Sequence, residues 1–383
     1  MSEKPTFIPP RILPPQPSPL FPNGYKGRGA SANLPNRFES RWHEPDEEWV
    51  HADDPAPTTE FLPDDSKSVV ATNDSPDIGF DASVNPYRGC EHGCIYCYAR
   101  PTHEYLGMSA GLDFESRILV KYDAPALLRA TLSAKSWKPQ LVMMSGVTDC
   151  YQPVERRLKL TRGCLEVLTE FRNPVAMITK NHLVTRDIDV LKPLADIGAA
   201  AVTLSVTTLD QNLSHVLEPR ASVPAARLAA IRMLADAGIP VGVNVAPIIP
   251  GLTDHELPKI LEAAAAAGAT RAGYTILRLP HGVLPLFERW LDEHAPSKKA
   301  MVLHRLEALR GGARNDPNFG SRMRGTGIFA KHLADVFAMG CRRHGLNQGM
   351  PGLDGRYAGL DARHFRVPGP RQLSLFDVGD AAP

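Results

Sequence analysis

Residues 90–97 read Cys90-Glu91-His92-Gly93-Cys94-Ile95-Tyr96-Cys97, inside the stretch SVNPYRGCEHGCIYCYARPTHEYLG. Three cysteines at C-x3-C-x2-C spacing share one short loop, where their thiolates can converge on a soft metal centre. The chain has 6 cysteines in all, and burial alone does not gather half of them in so short a run. Iron–sulfur clusters and structural zinc both take thiolate, and both ordinarily use a fourth ligand. No fourth cysteine is nearby. Three protein ligands leave one apex open, which is where a substrate or cosubstrate binds. The alternatives are a three-cysteine zinc site closed by His92 or His103 and three thiols that are neighbours by chance.

The form C-x3-C-x-aromatic-C, with Tyr96 as the aromatic, resembles the signature of the radical S-adenosylmethionine (radical SAM) superfamily. The resemblance implies a [4Fe–4S] cluster on Cys90, Cys94 and Cys97, its fourth iron chelated by the amine and carboxylate of S-adenosylmethionine. It further implies that one electron from the reduced cluster splits the sulfonium, giving methionine and a 5′-deoxyadenosyl radical that abstracts hydrogen from a C–H bond. A flavodoxin or ferredoxin is the electron donor such a reaction calls for.

Composition sets the outer bounds. A chain of 383 residues with 43% hydrophobic content has the make-up of a globular protein with a sizeable core. No run approaches ~18 uninterrupted apolar residues, and MSEKPTFIPPRILPP carries no secretory hydrophobic region. A cytoplasmic protein without a membrane span is expected, and sparse cysteines agree with a reducing compartment. The net charge of +1 argues against strong nonspecific binding to nucleic acid. Acidic residues nevertheless gather early (Glu44 to Asp65) and arginines late (Arg305 to Arg371), a weak pointer to a polyanion near the C-terminal part.

From the loop outward, residues 1–73 are proline-rich and aperiodic, and are expected to be largely disordered, with Trp42 and Trp49 of WHEPDEEW packing on the folded body. Beyond Cys97 the pattern repeats: helical APALLRATLSA before the apolar strand QLVMMSG, LKLTRGCLEVLTEF before PVAMITK, IDVLKPLADIG before AAVTLSVTTL. VPAARLAAIRMLADAG with IPVGVNVAPIIPG and DHELPKILEAAAAAG with RAGYTILRL continue it. Such alternation means parallel strands with right-handed crossovers. About six units, fewer than the eight of a closed barrel, predict an open α/β structure. The resemblance, which spans about Val69 to Arg278, implies the same: a partial (β/α)6 TIM-type barrel. The predicted organisation is a core barrel over 74–280, a helical extension over 281–346 and a flexible tail over 347–383.

Ligands collect at the C-terminal ends of strands in parallel α/β barrels. The strand ends offer Ser145, Thr148 and Asp149, then Thr179, Lys180 and Asn181, then Ser205 and Thr207, and Asn244. A strand-end hydroxyl is more often a local turn or helix cap than a ligand, although taken as a ring these residues are more persuasive. By resemblance, Ser145, Thr148 and Asp149 stand where the superfamily presents a Gly-Gly-Glu-like segment to the amino group of S-adenosylmethionine. Arg220, in Glu218-Pro219-Arg220, stands where members hold its carboxylate, and Ile248 and Ile249 of PIIPGLTDHE stand where an apolar loop packs on adenine. Tyr96, Ser145, Thr148, Asp149, Thr179, Lys180, Ser205, Arg220, Asn244 and Ile249 are therefore the candidate cofactor-binding residues.

CEHGCIYCYARPTHEYLG, FESRILVK and VTDCYQPVE together resemble the spore photoproduct lyase-like group. That likeness implies radical reversal of a thymine adduct and a DNA substrate. Those lyases return hydrogen to the product from a cysteine, which makes Cys150, at a predicted strand end, the candidate catalytic residue. Cys164 and Cys341 lie on predicted helices and read as buried thiols. In the tail, Gln372-Leu373-Ser374-Leu375-Phe376 resembles the motif that binds the bacterial DNA sliding clamp: Gln372 would fill a polar subsite, and Leu373, Leu375 and Phe376 a hydrophobic groove. Radical chemistry on RNA, a protein or a small metabolite, and a non-catalytic iron–sulfur or zinc protein, are the alternative functions.

Overall fold

Short aliphatic strands alternating with helices leave the chain one economical arrangement, parallel strands covered on one face by their crossovers. The computed structural model describes residues 25–39, 57–348 and 359–369. Its strands are β1 (Glu60–Pro63), β2 (Val70–Thr72), β3 (Ala82–Val84), β4 (Tyr87–Arg88), β5 (Arg117–Val120), β6 (Val142–Met144), β7 (Val175–Thr179), β8 (Ala200–Ser205), β9 (Val241–Ile248) and β10 (Arg271–Ile276). Seven form one sheet in the order β10-β9-β8-β7-β6-β3-β2, parallel throughout except for the β2–β3 hairpin. The six parallel strands make the expected partial (β/α)6 barrel, with β10 at one edge and the hairpin at the other. A small sheet, β1-β5-β4, flanks it.

Strand alternation assigns the two faces. Val202 and Leu204 of β8 and Val241, Val243 and Val245 of β9 pack with Ile231, Leu234, Ile260 and Leu261 of the covering helices Pro224–Asp236 and Leu257–Ala266. Fully burying each such side chain is worth roughly 1.5–3 kcal/mol. The residues between them, Thr203, Ser205, Gly242 and Asn244, face the barrel interior. The outer face therefore supplies stability, and the inner face is left to carry polar groups. After β10 the helices Val283–His294, Pro296–Leu309 and Gly327–Arg343 follow; Phe337 of the last packs on Tyr274 of β10 with ring centroids 4.8 Å apart.

Two stretches differ from the sequence expectation. Residues 25–39 and 57–72, assigned to a largely disordered segment, dock on the barrel. The Gly29 and Ala30 amides each donate to the Glu115 carboxylate at 2.8 Å, Leu34 N donates to Ser109 Oγ at 2.7 Å, and β1 and β2 pair with β5 and β3. Docking through backbone amides needs no apolar face, so no periodicity announces it. Residues 359–369, assigned to the flexible tail, also dock: Asp361 N donates to the Gly198 carbonyl and Arg366 N to that of Phe171, both at 2.9 Å, and Leu360 packs against Met143 and Ala176. Trp42, Trp49 and the 372–376 motif lie outside the described residues.

A Cβ on Gly29 would overlap the Gly93 carbonyl oxygen, which is backbone and cannot rotate aside. Gly29→Ala is expected to lift residues 25–39 off the cysteine loop at a cost of about 1–3 kcal/mol. Faster tryptic cleavage at Lys26 and Arg28 than in the wild type would show it, whereas an unchanged rate would mean that this segment does not seat against the loop.

Candidate active site

The cysteine loop is shaped by groups outside it. Gly89 (φ +83°) and Gly93 (φ +66°) are left-handed, and a side chain at either would press on the Phe114 carbonyl or the Glu115 carboxylate. Arg100, fully buried, donates to the carbonyls of Cys94 (3.0 Å), Gly93 (3.1 Å) and Gly111 (2.8 Å). Its charge is met at 2.9 Å by Glu115, equally buried, which also receives the Gly29 and Ala30 amides. One ion pair thus ties the loop to the N-terminal segment. Neither residue stands out in the sequence, because nothing in the spacing of ARPTHEYLG and FESRILVK pairs them.

Cys90 and Cys94 are buried and Cys97 partly so. Burial pushes all three thiols above their ordinary range; Asp149 adds to this at Cys90, and Glu218 at Cys94. A buried neutral thiol releases its proton most readily when a metal takes its place on sulfur and supplies the compensating charge. His92 is engaged through both ring nitrogens, Nδ1 at 3.4 Å from Asp149 Oδ2 and Nε2 at 3.2 Å from Asn181 Nδ2. His103 Nε2 lies 2.9 Å from the Arg117 carbonyl, while its Nδ1 is buried without a partner. Among the described residues no three His, Cys, Asp or Glu side chains are grouped tightly enough to share one metal ion.

Inside the barrel, beside Cys94 and Tyr96, a charged network is centred on buried Glu218. Its carboxylate receives Tyr96 OH and Arg227 Nη2, and lies 2.7 Å from Thr207 Oγ1 and 3.1 Å from Lys180 Nζ. Burial alone would raise its pKa, but Arg227 and Lys180 outweigh burial and hold it well below the ordinary carboxylate range. Lys180 also donates to the Ala246 carbonyl at 2.9 Å and stands over the Tyr96 ring. Asn244, buried and facing inward, has Oδ1 with no hydrogen-bond partner, an acceptor in want of a donor. Ile249 shares an apolar cluster with Cys94, Ile95 and Tyr96. Of the predicted residues, then, Tyr96, Lys180, Ser205, Asn244 and Ile249 line or adjoin the barrel interior. Glu218, Thr207 and Arg227 complete this wall; of the three, only Thr207 stands at a strand end.

Others are spent elsewhere. Asp149 accepts from Thr179 Oγ1 and the Lys180 amide, both at 2.8 Å, and from Tyr151 N at 2.9 Å. Ser145 (φ +80°) bonds the Thr148 carbonyl and the Cys150 amide, and Thr148 Oγ1 donates to the Tyr87 carbonyl at 2.8 Å. Ser145, Thr148, Asp149 and Thr179 therefore build the turn after β6 with their own polar atoms, a role the sequence reading weighed against ligand binding. Arg220 turns away from the interior to the Gly27 carbonyl (3.0 Å) and Glu91 (3.6 Å), because the docked N-terminal segment offers it acceptors. Cys150 sits in the hydrophobic core with Val84, Met144 and Cys164, and burial pushes its thiol well up; this differs from the expected position on the reactive face.

A partial parallel barrel that sets a three-cysteine loop beside a buried network of charged and polar side chains suits a cluster-dependent enzyme. The profile of the Radical SAM superfamily matches residues 84–264. An uncharacterized protein of Mycobacterium tuberculosis is 36% identical over 249 residues, covering 64% of this chain and 72% of the relative. One from Methanocaldococcus jannaschii is 33% identical over 173 residues, covering 45% and 62%. Among solved structures, spore photoproduct lyase complexed with dinucleoside spore photoproduct superposes with a TM-score of 0.53 at 17% identity, over 75% of this chain and 80% of that one. A mutant of that lyase gives 0.55 at the same identity and coverage. This chain belongs to the radical SAM superfamily, and its cofactors are a [4Fe–4S] cluster and S-adenosylmethionine. No helix among the described residues is long and apolar enough to cross a membrane.

Proposed function

We propose that the enzyme acts on DNA, abstracting hydrogen in lesion repair or base modification, with lyase-type reversal of a base adduct as the leading case. The observation that carries this reading is the surface beside the cysteine loop: Tyr98, next to Cys97 and half exposed, lies under Arg278 and donates to the Gly146 carbonyl at 3.0 Å. Aromatic faces interleaved with arginine suit bases and phosphates. Fold likeness to a lyase complexed with a dinucleoside photoproduct supports the same substrate class.

Cys90, Cys94 and Cys97 would hold the cluster, and Asn244, Ser205 and Ile249 would receive the polar and apolar parts of S-adenosylmethionine. When bound, the reduced cluster and its cosubstrate supply a radical able to abstract hydrogen. Lys180, Glu218 and Tyr96 hold the wall beside Cys94 fixed, and the apolar cluster around Ile249 excludes water from it. A flavodoxin or ferredoxin would deliver the electron.

The test is anaerobic reconstitution and reduction with S-adenosylmethionine, with and without ultraviolet-irradiated oligodeoxynucleotide. Formation of 5′-deoxyadenosine should rise with DNA, and the photoproduct should fall. Equal formation in both arms with the DNA unaltered would sink the DNA substrate while leaving the family untouched. Recruitment through Gln372, Leu373, Leu375 and Phe376 to the sliding clamp belongs to the same proposal. Immobilised clamp should retain the wild type and release Gln372→Ala/Phe376→Ala, and equal retention removes the motif from the argument.

A further inference from the structure

Strand pairing leaves the barrel open between β10 and the β2–β3 hairpin, and residues 315–324 cross that gap. Arg322, in the short helix Ser321–Arg324, ion-pairs with Asp77 of the β2–β3 loop and donates to Ser75 Oγ at 2.6 Å. The Gly320 amide donates to Asp77 Oδ1 at 2.6 Å. On the other side Arg278, two residues past β10, reaches Met323 Sδ at 3.5 Å and lies over the Tyr98 ring at 5.7 Å.

The charges here do not balance. Among the described residues no carboxylate pairs with Arg278, and its Nε is buried without a partner. Burial and the neighbouring Arg322 lower its pKa against an opposing pull from Tyr98, Asp77 and Asp316, and neither carboxylate ion-pairs with it. Beside them stand two exposed aromatics, Tyr98 at 51% and Phe319 at 57%, with Arg322 over the Phe319 ring at 4.3 Å. Arginines short of anions next to exposed rings describe a nucleic-acid strand that is not yet there.

We propose that residues 315–324 form a latch across the barrel's side opening in which Asp77 holds the place of a DNA phosphate. An incoming strand displaces the Asp77 carboxylate from Arg322, its phosphates take Arg322 and Arg278, and its bases stack on Phe319 and Tyr98. Carboxylate and phosphate bind a guanidinium by the same paired geometry, so the exchange swaps one charge-assisted contact for another and supplies Arg278 with its missing anion. This inference rests on the DNA reading above and adds how DNA enters.

Fluorescence anisotropy of a labelled single-stranded oligodeoxynucleotide with the anaerobic, cluster-loaded full chain tests it. Asp77→Asn should bind roughly threefold to tenfold tighter than wild type, and Arg322→Gln and Arg278→Gln weaker by a similar factor, with a shallower salt dependence. A merely structural latch predicts that Asp77→Asn and Arg322→Gln move together; shifts of the same sign, or none, overturn the proposal. Hydrogen exchange of residues 316–324 provides the second readout and should quicken in Asp77→Asn. Quickened exchange with no DNA binding by any variant also overturns it, by removing DNA as the occupant, and that result is distinct from a failure to form 5′-deoxyadenosine.

Discussion

Cys94→Ala is expected to remove iron and 5′-deoxyadenosine formation together. Two thiolates would remain, and the polar side chains beside Cys94 are already engaged: His92 is committed through both ring nitrogens to Asp149 and Asn181, and Glu218 to two cations and a tyrosine. Losing a partner one shell out from a metal typically costs 10–100-fold, so losing a ligand itself should exceed about 100-fold. Iron analysis of the reconstituted protein and chromatographic quantitation of 5′-deoxyadenosine read the two effects. The fold should survive, because one small side chain is removed from a loop anchored by Arg100. Full iron loading in Cys94→Ala would show that this residue is no ligand.

Arg100→Met should cost about as much without touching a ligand. It strips the buried Glu115 carboxylate of its counter-ion and leaves the Gly93, Cys94 and Gly111 carbonyls short of a donor. Breaking a buried pair by removing one partner costs about 3–5 kcal/mol, whereas an exposed pair is worth under about 1 kcal/mol. The urea midpoint should fall accordingly, and iron occupancy should fall with it although all three thiols remain. Arg100→Met/Glu115→Gln should recover part of the loss, since the uncompensated charge is then gone. A single variant with wild-type stability and iron content would mean that the loop holds its shape without this pair.

Some of the site was legible because its signals are local. Cys90, Cys94 and Cys97 announce themselves by spacing, and Lys180, Ser205 and Asn244 by standing at the ends of apolar runs. Glu218 was visible only as a neighbour of Arg220, and the structure reverses their parts: Glu218 enters the barrel wall, and Arg220 turns to Gly27. The late arginines show the same limit. Arg305 is spent on Asp254, Arg310 on backbone carbonyls and Arg314 on Glu288 and Glu307, while Arg278, outside that run, lacks a partner carboxylate among the described residues. Composition counts charges, but which of them are already paired is a long-range property.

By itself the sequence determined the family and the barrel of six parallel strands and singled out Cys90, Cys94 and Cys97 as the candidate cluster ligands, because thiol spacing and the period of apolar residues are written over a few neighbouring positions. Only the tertiary structure decided that residues 25–39 brace the cysteine loop, that Ser145, Thr148 and Asp149 use their polar atoms on one another's turn, that Cys150 lies in the core and that Arg322 reaches Asp77 across the open seam. Apart from the short-range bonds within the 145–151 turn, these depend on groups far apart in the chain, chosen by which buried donor still needed an acceptor once the barrel had formed, and no local pattern encodes that competition.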